Sequence, residues 1–124
     1  MNFTCLIPNI FYIDISQGIQ LFIDCLGFVI TYDDRSSTSQ PFCVAEKDNL
    51  KIHLIENAEF AAKDRPELRL ETNDIDSVYK TVSATHPQFL HPNLSTVTLR
   101  PWNAREFALV DASGVCIIIQ QWIK

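Results

Sequence analysis

The sequence predicts an α+β fold made of two copies of one strand–helix–strand–strand–strand unit. The first observation is a hairpin near the C-terminus, where two apolar runs, 107–110 and 115–119, flank the turn Asp111-Ala-Ser-Gly114. The second run is mostly β-branched, which favours strand over helix, and Gly114 can adopt the positive φ of a turn. The second observation is a similar hairpin earlier in the chain, which indicates an internal repeat.

The repeat becomes visible when the numbering is shifted back by 65, from Phe107 to Phe42. Gly114 then falls on Asn49, and glycine and asparagine best tolerate the left-handed backbone. Asn49 is therefore the predicted left-handed residue of the first turn. If both turns contain two residues, the turn length fixes which residues lie opposite each other in each hairpin. They are His53 with Val44 and Ile118 with Leu109.

Composition predicts one globular domain. The chain has 124 residues, 47% of them apolar, and a net charge of −5, so it is long enough to bury a sizeable core. The negative charge argues against nucleic acid or an anionic membrane as partner. Because the sequence shows no span-length apolar run and no signal-peptide pattern, a cytoplasmic location is predicted. Four cysteines are expected to be reduced, buried thiols: Cys5, Cys25, Cys43 and Cys116.

The first half should begin with a strand at 3–13, marked by Pro8 as an edge or bulge. Asp14 and Ser16 are N-cap candidates for the helix that follows. Its apolar stripe has the spacing of one helical face and comprises Ile19, Phe22, Ile23 and Leu26. Gly27 should end the helix. The elements predicted next are a strand at 28–32, a loop at 33–40 and a hairpin with strands at 41–46 and 50–55.

The second half follows a polar linker at 57–66, and this linker could contain a helical turn. Asp74 or Asp76 should cap its helix. The stripe of this helix comprises Ile75, Val78, Tyr79 and Val82. The other predicted elements are a strand at 67–72, a proline-punctuated loop at 86–94, a strand at 96–100 and the closing hairpin.

The pattern resembles the vicinal-oxygen-chelate superfamily of glyoxalase, bleomycin-resistance and extradiol-dioxygenase proteins over nearly the whole chain. The markers are Asp14-Ile-Ser16 leading into Leu26-Gly-Phe28, and Arg105-Glu-Phe-Ala-Leu-Val-Asp-Ala-Ser-Gly114; Ile7-Pro-Asn-Ile10 and the run through Arg100-Pro-Trp102 are most similar to the bleomycin-resistance branch. The resemblance implies two βαβββ modules whose curved sheets enclose a ligand cavity, commonly within a homodimer. A single domain would then span 1–124, with module one at about 1–56, the linker at 57–66 and module two at about 67–124.

Strand alternation predicts which side chains face this cavity. An apolar set should pack under the helices: Ala45, Ile52, Leu54, Leu68, Leu70, Ala108, Val110, Ile117 and Ile119. The opposite set mixes aromatic, apolar and ionisable groups: Phe42, Val44, His53, Ile55, Glu67, Arg69, Arg105, Phe107, Leu109, Ile118 and Gln120. Such a mixture suits a small-molecule pocket, and a solvated sheet face is the alternative. Of Arg105 and Glu106, which match the family motif, one should project toward the cavity.

The resemblance also implies positions for a divalent ion, which fall here on Ile7, His53, Glu67 and Ile118. The two isoleucines cannot ligate, and two ligands fall short of the three or four that hold zinc or similar ions. We therefore predict no metal and no cofactor. A His53–Glu67 pair could act as a general base and its orienter, or as a structural or ligand-contacting ion pair.

The predicted function is metal-independent small-molecule binding of the glyoxalase/bleomycin-resistance type, with sequestration of a drug or metabolite by a homodimer. The alternatives are a metal-dependent lyase, isomerase or dioxygenase with a rearranged metal site, and an interaction module with a vestigial pocket. Trp102 is read either as an aromatic wall or as a plug that closes the sheet. No catalytic residue is assigned. The predicted ligand-binding residues are Phe42, His53, Glu67, Arg69, Trp102, Arg105, Phe107 and Gln120.

Overall fold

A computed structural model of the chain describes residues 1–37 and 39–123. The chain divides into two compact units, Met1–Asp64 and Arg65–Lys124. Within the described residues, each unit holds one four-stranded mixed sheet. The strand–helix–strand–strand–strand order predicted for each half is confirmed.

The first unit has strand order β1-β4-β3-β2, with β1 parallel to β4 and the other pairs antiparallel. Its strands are β1 (Asn9–Tyr12), β2 (Val29–Asp34), β3 (Phe42–Lys47) and β4 (Leu50–Glu56). Its helices are α1 (Ile15–Gly18), a π-helical segment at Ile19–Cys25 and α2 (Ala58–Lys63). The last of these lies in the predicted linker and is capped by the side chain of Asn57.

The second unit has strand order β5-β8-β7-β6, with β5 parallel to β8. Its strands are β5 (Glu67–Glu71), β6 (Thr98–Leu99), β7 (Ala104–Val110) and β8 (Cys116–Trp122). Helix α3 spans Ile75–Thr85, and a 3-10 turn covers Pro87–Phe89. No helix of residues 1–37 and 39–123 has both the length and the apolar character needed to cross a membrane.

The first strand is shorter than predicted, because regular pairing starts only at Asn9. Pro8 has no N–H to donate, although its carbonyl accepts from the His53 N–H at 3.0 Å. The apolar side chains of Phe3 and Leu6, placed in the strand by the sequence, are exposed.

The first helix begins where predicted, since the Asp14 carboxylate accepts from the Ser16 N–H at 2.9 Å. It then widens into a π-helix, shown by the Leu26 N–H donating to the carbonyl of Leu21 five residues back. The wider turn changes the core-facing stripe, so that Leu21 is buried while Ile19 and Ile23 are only partly so. Gly27 ends the helix at φ +79°.

The two hairpins turn differently, and the difference changes which side chains share a face. In the first, Lys47 pairs with Leu50, so the turn has two residues, and the pairing of His53 with Val44 predicted for a turn of this length is confirmed. Its left-handed residue is Asp48 at φ 54°, not Asn49. The prediction for Asn49 was therefore wrong.

The second hairpin pairs Val110 with Cys116, which leaves the five residues 111–115 in the turn. The Asp111 carboxylate holds this turn by accepting from the N–H groups of Ser113 and Val115 at 2.9 and 3.0 Å. The prediction assumed a turn with an even number of residues. A turn of five residues shifts the pairing by one residue, which moves the side chains of a strand to the other face. Ile118 consequently pairs with Ala108, not with the predicted Leu109.

Because of this shift in pairing, the side chains of β7 lie on the faces opposite to those predicted. Phe107 pairs with Ile119 and lies on the side that packs against α3. The side chains predicted for the open face but found on the helix side are Arg105, Phe107 and Leu109, and those found on the open face instead are Ala108 and Val110. The register of β3, β4, β5 and β8 agrees with the prediction.

The four cysteines, all within the described residues, are free thiols, but only Cys43 is buried. Cys5 is exposed, and Cys25 and Cys116 are partly buried. Burial raises the pKa of the Cys25 thiol to about 11 and also raises the pKa of Cys43 and Cys116. Burial therefore disfavours the reactive thiolate at these three positions.

We expect Ellman's reagent at pH 8 to label one thiol of the folded protein quickly, namely Cys5, and the other three slowly. The reason is that attack on the reagent needs an accessible thiolate. Absorbance at the wavelength of the released thionitrobenzoate follows the phases, and all four thiols should react in denaturant. Cys5→Ser should remove the fast phase; a fast phase that persists in this variant would contradict the assignment.

Candidate functional site

The predicted site residues lie mainly on the sheet face opposite the helices in each unit. We describe the two faces separately. In the first unit the face carries a row of flat side chains, and in the second it carries a buried carboxylate with its donors.

The row of flat side chains in the first unit, the aromatic row, consists of Tyr32, Phe42 and His53. The ring centroids of Tyr32 and Phe42 are 5.5 Å apart, and those of Phe42 and His53 are 6.3 Å apart. Tyr32 is 56% exposed, while Phe42 and His53 are partly buried. Neighbouring rings with open faces offer a stacking surface to a planar molecule.

Tyr32 joins the row because of a bulge in β2. Ile30 pairs with Ala45 on the helix side, yet Tyr32 pairs with Val44 on the opposite side. Simple alternation would put residues 30 and 32 on the same face, so the extra residue reverses Tyr32. Sequence reasoning missed Tyr32 as a site residue, since nothing in the local pattern marks the bulge.

The centre of the second face is Glu106, whose side chain is 1% exposed. Its Oε2 accepts hydrogen bonds from Arg69 Nη1 at 2.9 Å, Trp102 Nε1 at 2.8 Å and Gln120 Nε2 at 2.7 Å. Its Oε1 faces Arg100 Nε at 3.9 Å. We call these five residues the carboxylate cluster. A buried carboxylate needs this kind of compensation, because an unpaired one is costly.

Strand pairing and one tight turn assemble the cluster. Glu106 on β7 lies directly opposite Gln120 on β8. Trp102 belongs to the turn between β6 and β7, which is closed by a hydrogen bond from the Arg100 N–H to the Ala104 carbonyl at 2.8 Å. Asn103 adopts φ 67° in this turn, a left-handed conformation that asparagine tolerates.

Arg100 completes the cluster from the same turn. Its guanidinium carbon lies 4.8 Å from the Trp102 ring centroid, a cation–π arrangement. Its Nε is buried and has no hydrogen-bond partner among the described residues. Arg100 Nε and Glu106 Oε1 are thus within ion-pair distance of each other but too far apart for a direct hydrogen bond.

Arg69, Trp102 and Gln120 therefore come together as predicted, but around a different acid. Glu67, which the sequence placed on the face toward the cavity, has a 59% exposed side chain and lies 4.0 Å from Arg69. The buried acid is Glu106, the neighbour of Arg105 in the family motif. Of that motif pair, Glu106 is on the open face of the sheet and Arg105 is on the other.

Arg105 and Phe107 are placed differently from the prediction, because both lie on the α3 side. Arg105 donates from Nη1 and Nη2 to the Asp76 carboxylate at 2.9 and 2.8 Å. This pairing lowers the pKa of Asp76 and raises the pKa of Arg105. Phe107 is fully buried, with its ring centroid 5.1 Å from that of Tyr79.

The side chains at the four positions implied for a divalent ion do not supply enough ligating atoms to hold one. Ile7 and Ile118 have no ligating atom, which leaves two of the four positions, His53 and Glu67, able to ligate. In the part of the chain that the structure describes, no three or more His, Cys, Asp or Glu side chains are grouped as a metal site. Metal independence stays a prediction.

No protein-family model and no curated protein sequence matches this chain significantly. Solved structures match over nearly its full length. The bleomycin-binding protein of Streptomyces verticillus, complexed with copper(II)-bleomycin, is 18% identical, with 100% of this chain and 99% of that chain covered and a TM-score of 0.74. The bleomycin resistance determinant encoded on the transposon Tn5 is 17% identical, with 98% and 100% covered and a TM-score of 0.72.

A third structure is the glyoxylase/bleomycin resistance protein/dioxygenase domain from Frankia sp. EAN1pec. It is 12% identical, with 100% of this chain and 94% of that chain covered and a TM-score of 0.72. Identities this low show a shared fold. The fold predicted from the resemblance is therefore confirmed.

Proposed function

We propose that this chain, which has the glyoxalase/bleomycin-resistance/dioxygenase fold, binds a flat, partly apolar small molecule and sequesters it without chemical change. The observation that carries the proposal is the carboxylate cluster. Glu106 is buried and fixed through Oε2, and its Oε1 lies 3.9 Å from Arg100 Nε, which has no hydrogen-bond partner among the described residues. A rigid, largely desolvated donor and acceptor of this kind fix the orientation of a ligand.

The aromatic row supports the flat shape of the ligand. In the first unit, Tyr32, Phe42 and His53 form a row of neighbouring rings. The face of the second unit has its own indole, that of Trp102 beside Arg100. Stacking on such rings contributes affinity without demanding one particular hydrogen-bond pattern. A drug or metabolite with a planar ring system and few polar atoms matches these groups.

The solved structures support the same class of function. Two proteins with this fold are described as a bleomycin-binding protein and a bleomycin resistance determinant. Binding and removal of a toxic compound needs no reaction, which agrees with the apolar residues at two of the implied metal positions, Ile7 and Ile118. The homodimer expected from the sequence remains part of this proposal.

We expect metal-free bleomycin, used as the first probe, to bind in the presence of EDTA with unchanged affinity. The physical reason is that the proposed contacts are ring stacking and hydrogen bonds, with no ion between protein and ligand. Calorimetric titration with and without EDTA measures this, and Trp fluorescence gives a second readout. Binding that EDTA abolishes and a divalent ion restores would contradict the proposal and favour a metal-dependent lyase, isomerase or dioxygenase.

The variants Phe42→Ala and His53→Ala should each weaken binding by about 1–3 kcal/mol, the scale of a lost anchoring contact. Trp102→Phe keeps a ring but loses the N–H that donates to Glu106, so it separates stacking from hydrogen bonding. His86→Ala is the matched control, because His86 lies at the end of α3 and stacks on Phe89 in the 3-10 turn. Equal losses in His53→Ala and His86→Ala would contradict a role for the aromatic row.

A further inference from the structure

We propose that the small molecule bound by this chain carries a carboxylate attached to a planar ring, and that the guanidinium of Arg100 binds this carboxylate. This rests on the proposed function, because the ligand is the same molecule and only its chemical class is added. Arg100 belongs to the carboxylate cluster of the second unit, where its Nε lies 3.9 Å from Glu106 Oε1.

Arg100 differs from the other arginines of the chain in the use of its hydrogen-bond donors. The chain has five arginines, all of them in the part that the structure describes. No guanidinium nitrogen of Arg100 donates a hydrogen bond to another described residue. A guanidinium carries five N–H donors and no acceptor, so those of Arg100 are available to an acceptor on a ligand. The other four guanidinium groups each donate to a side chain: Arg35 to Asp33, Arg65 to Ser113, Arg69 to Glu106 and Arg105 to Asp76.

The end of the Arg100 side chain is accessible to a ligand. Its Nε is buried, but the side chain as a whole is 35% exposed. Its Nη1 and Nη2 are not among the buried atoms that lack a hydrogen bond, so both nitrogens are open to solvent. These two nitrogens form the planar fork that binds a carboxylate through two parallel hydrogen bonds.

Trp102 and a tight turn hold the guanidinium in place before any ligand arrives. The guanidinium carbon of Arg100 lies 4.8 Å from the centroid of the Trp102 ring, and the Trp102 N–H is itself fixed by donating to Glu106. Arg100 and Trp102 lie in the turn that is closed by the hydrogen bond from the Arg100 N–H to the Ala104 carbonyl. A donor held in this way loses less conformational entropy on binding than a free side chain does.

The charge of the carboxylate cluster also favours an anion. The cluster contains two guanidinium groups, those of Arg69 and Arg100, and one carboxylate, that of Glu106, so its formal charge is positive. Arg69 compensates Glu106 directly at 2.9 Å, whereas Arg100 Nε is too far from Glu106 for a hydrogen bond. The acids of β5 on this face, Glu67 and Glu71, are exposed, so solvent weakens their effect. An anionic ligand would balance the remaining charge.

The chemistry of the guanidinium limits the polar group of the ligand. A carboxylate accepts two hydrogen bonds in one plane and brings a negative charge, which makes each bond stronger than a neutral one. An alcohol accepts without this charge, and an ammonium group has no acceptor for the Arg100 donors. An aromatic carboxylate is flat throughout, which agrees with the planar shape proposed for the ligand.

The test is a titration of ¹⁵N-labelled full-length protein, followed by two-dimensional NMR, with three probes of one shape: 2-naphthoate, 2-naphthalenemethanol and 2-naphthylmethylamine. The Nε–H signal of Arg100, identified by its loss in Arg100→Lys, is the readout. We expect a saturable shift of this signal with 2-naphthoate alone. An equal shift with the alcohol would overturn the recognition of charge, and an unshifted signal at saturating 2-naphthoate would overturn the proposal.

These outcomes are separate from those of the bleomycin titrations. Bleomycin binding without a response of Arg100 to 2-naphthoate would overturn the carboxylate site and leave the proposed function standing. A response of Arg100 to 2-naphthoate without bleomycin binding would support the carboxylate site and count against a bleomycin-like ligand.

Variants of Arg100 complete the test. Arg100→Gln should weaken 2-naphthoate binding by about tenfold or more, because charge-assisted hydrogen bonds are lost. Arg100→Lys should lie between this variant and wild type, since it keeps the charge and loses the fork. Lys80→Gln is the matched control, because it removes an equal charge from an exposed position of α3 and should leave binding unchanged. Wild-type affinity for 2-naphthoate in a folded Arg100→Gln protein would overturn the proposal.

Discussion

Glu106→Ala is expected to destabilise the protein by about 3 kcal/mol, because it leaves one buried donor and two part-buried donors without their common acceptor. Arg69 Nη1, Trp102 Nε1 and Gln120 Nε2 all donate to one oxygen of this carboxylate. Without it, the buried Gln120 amide and the part-buried Arg69 and Trp102 donors lose their partner, and Arg100 loses its nearest negative charge. The loss of free energy should appear as a lower midpoint of urea unfolding.

Glu67→Ala is the matched control, because Glu67 is an acid next to the same Arg69 but has an exposed side chain. A surface ion pair contributes about 0–1 kcal/mol, so this variant should unfold close to wild type. Glu106→Gln should lie between wild type and Glu106→Ala, since the amide oxygen can still accept some of the bonds while its NH₂ group faces donors.

Trp102 provides a local readout of the same change. Its indole N–H donates to Glu106, so the Trp emission of Glu106→Ala should differ from that of Glu67→Ala in the folded state. A Glu106→Ala protein as stable as Glu67→Ala would show that Glu106 is not the organising acid of this face.

The fold was predictable because its signals are local and repeat. Turn residues at 111–114, β-branched residues at 115–119 and a capped helix after Asp74 each indicate their element without knowledge of the rest. The family resemblance then fixed the arrangement. The capped linker helix α2 was less visible, since 57–66 is mostly polar and charged.

The site was less predictable, because a shift of one residue in strand pairing decides which side chains lie on the open face. The five-residue turn at 111–115 and the bulge between Ile30 and Tyr32 each reverse the face of nearby side chains. The turn is held by the Asp111 carboxylate, and the bulge is visible only in the pairing of β2 with β3. As a result the sequence assigned Phe107 and Arg105 to the open face and did not single out Tyr32 or identify Glu106 as the buried acid.

The π-helical segment illustrates a further limit. The apolar spacing at 19–26 fits a regular α-helix, and only the packed structure reveals the wider turn. Just before it, Gly18 lies in close contact with Tyr12, a side chain with no exposure. A Cβ atom at position 18 would come within 2.6 Å of Tyr12 Cε2 and 2.9 Å of Tyr12 Cζ. The helix can approach β1 this closely only because residue 18 is glycine.

Gly18→Val is therefore expected to destabilise the protein by about 3 kcal/mol, the upper end of the cost of overpacking a core. Gly18→Ala should cost less, because a better helix former offsets part of the clash. Chemical unfolding measures both. Gln17→Val is the matched control for β-branching in the same helix, as Gln17 is only partly buried. In a Tyr12→Leu background the cost of Gly18→Val should fall; an unchanged cost would show that contact with the Tyr12 ring is not the reason for glycine at this position.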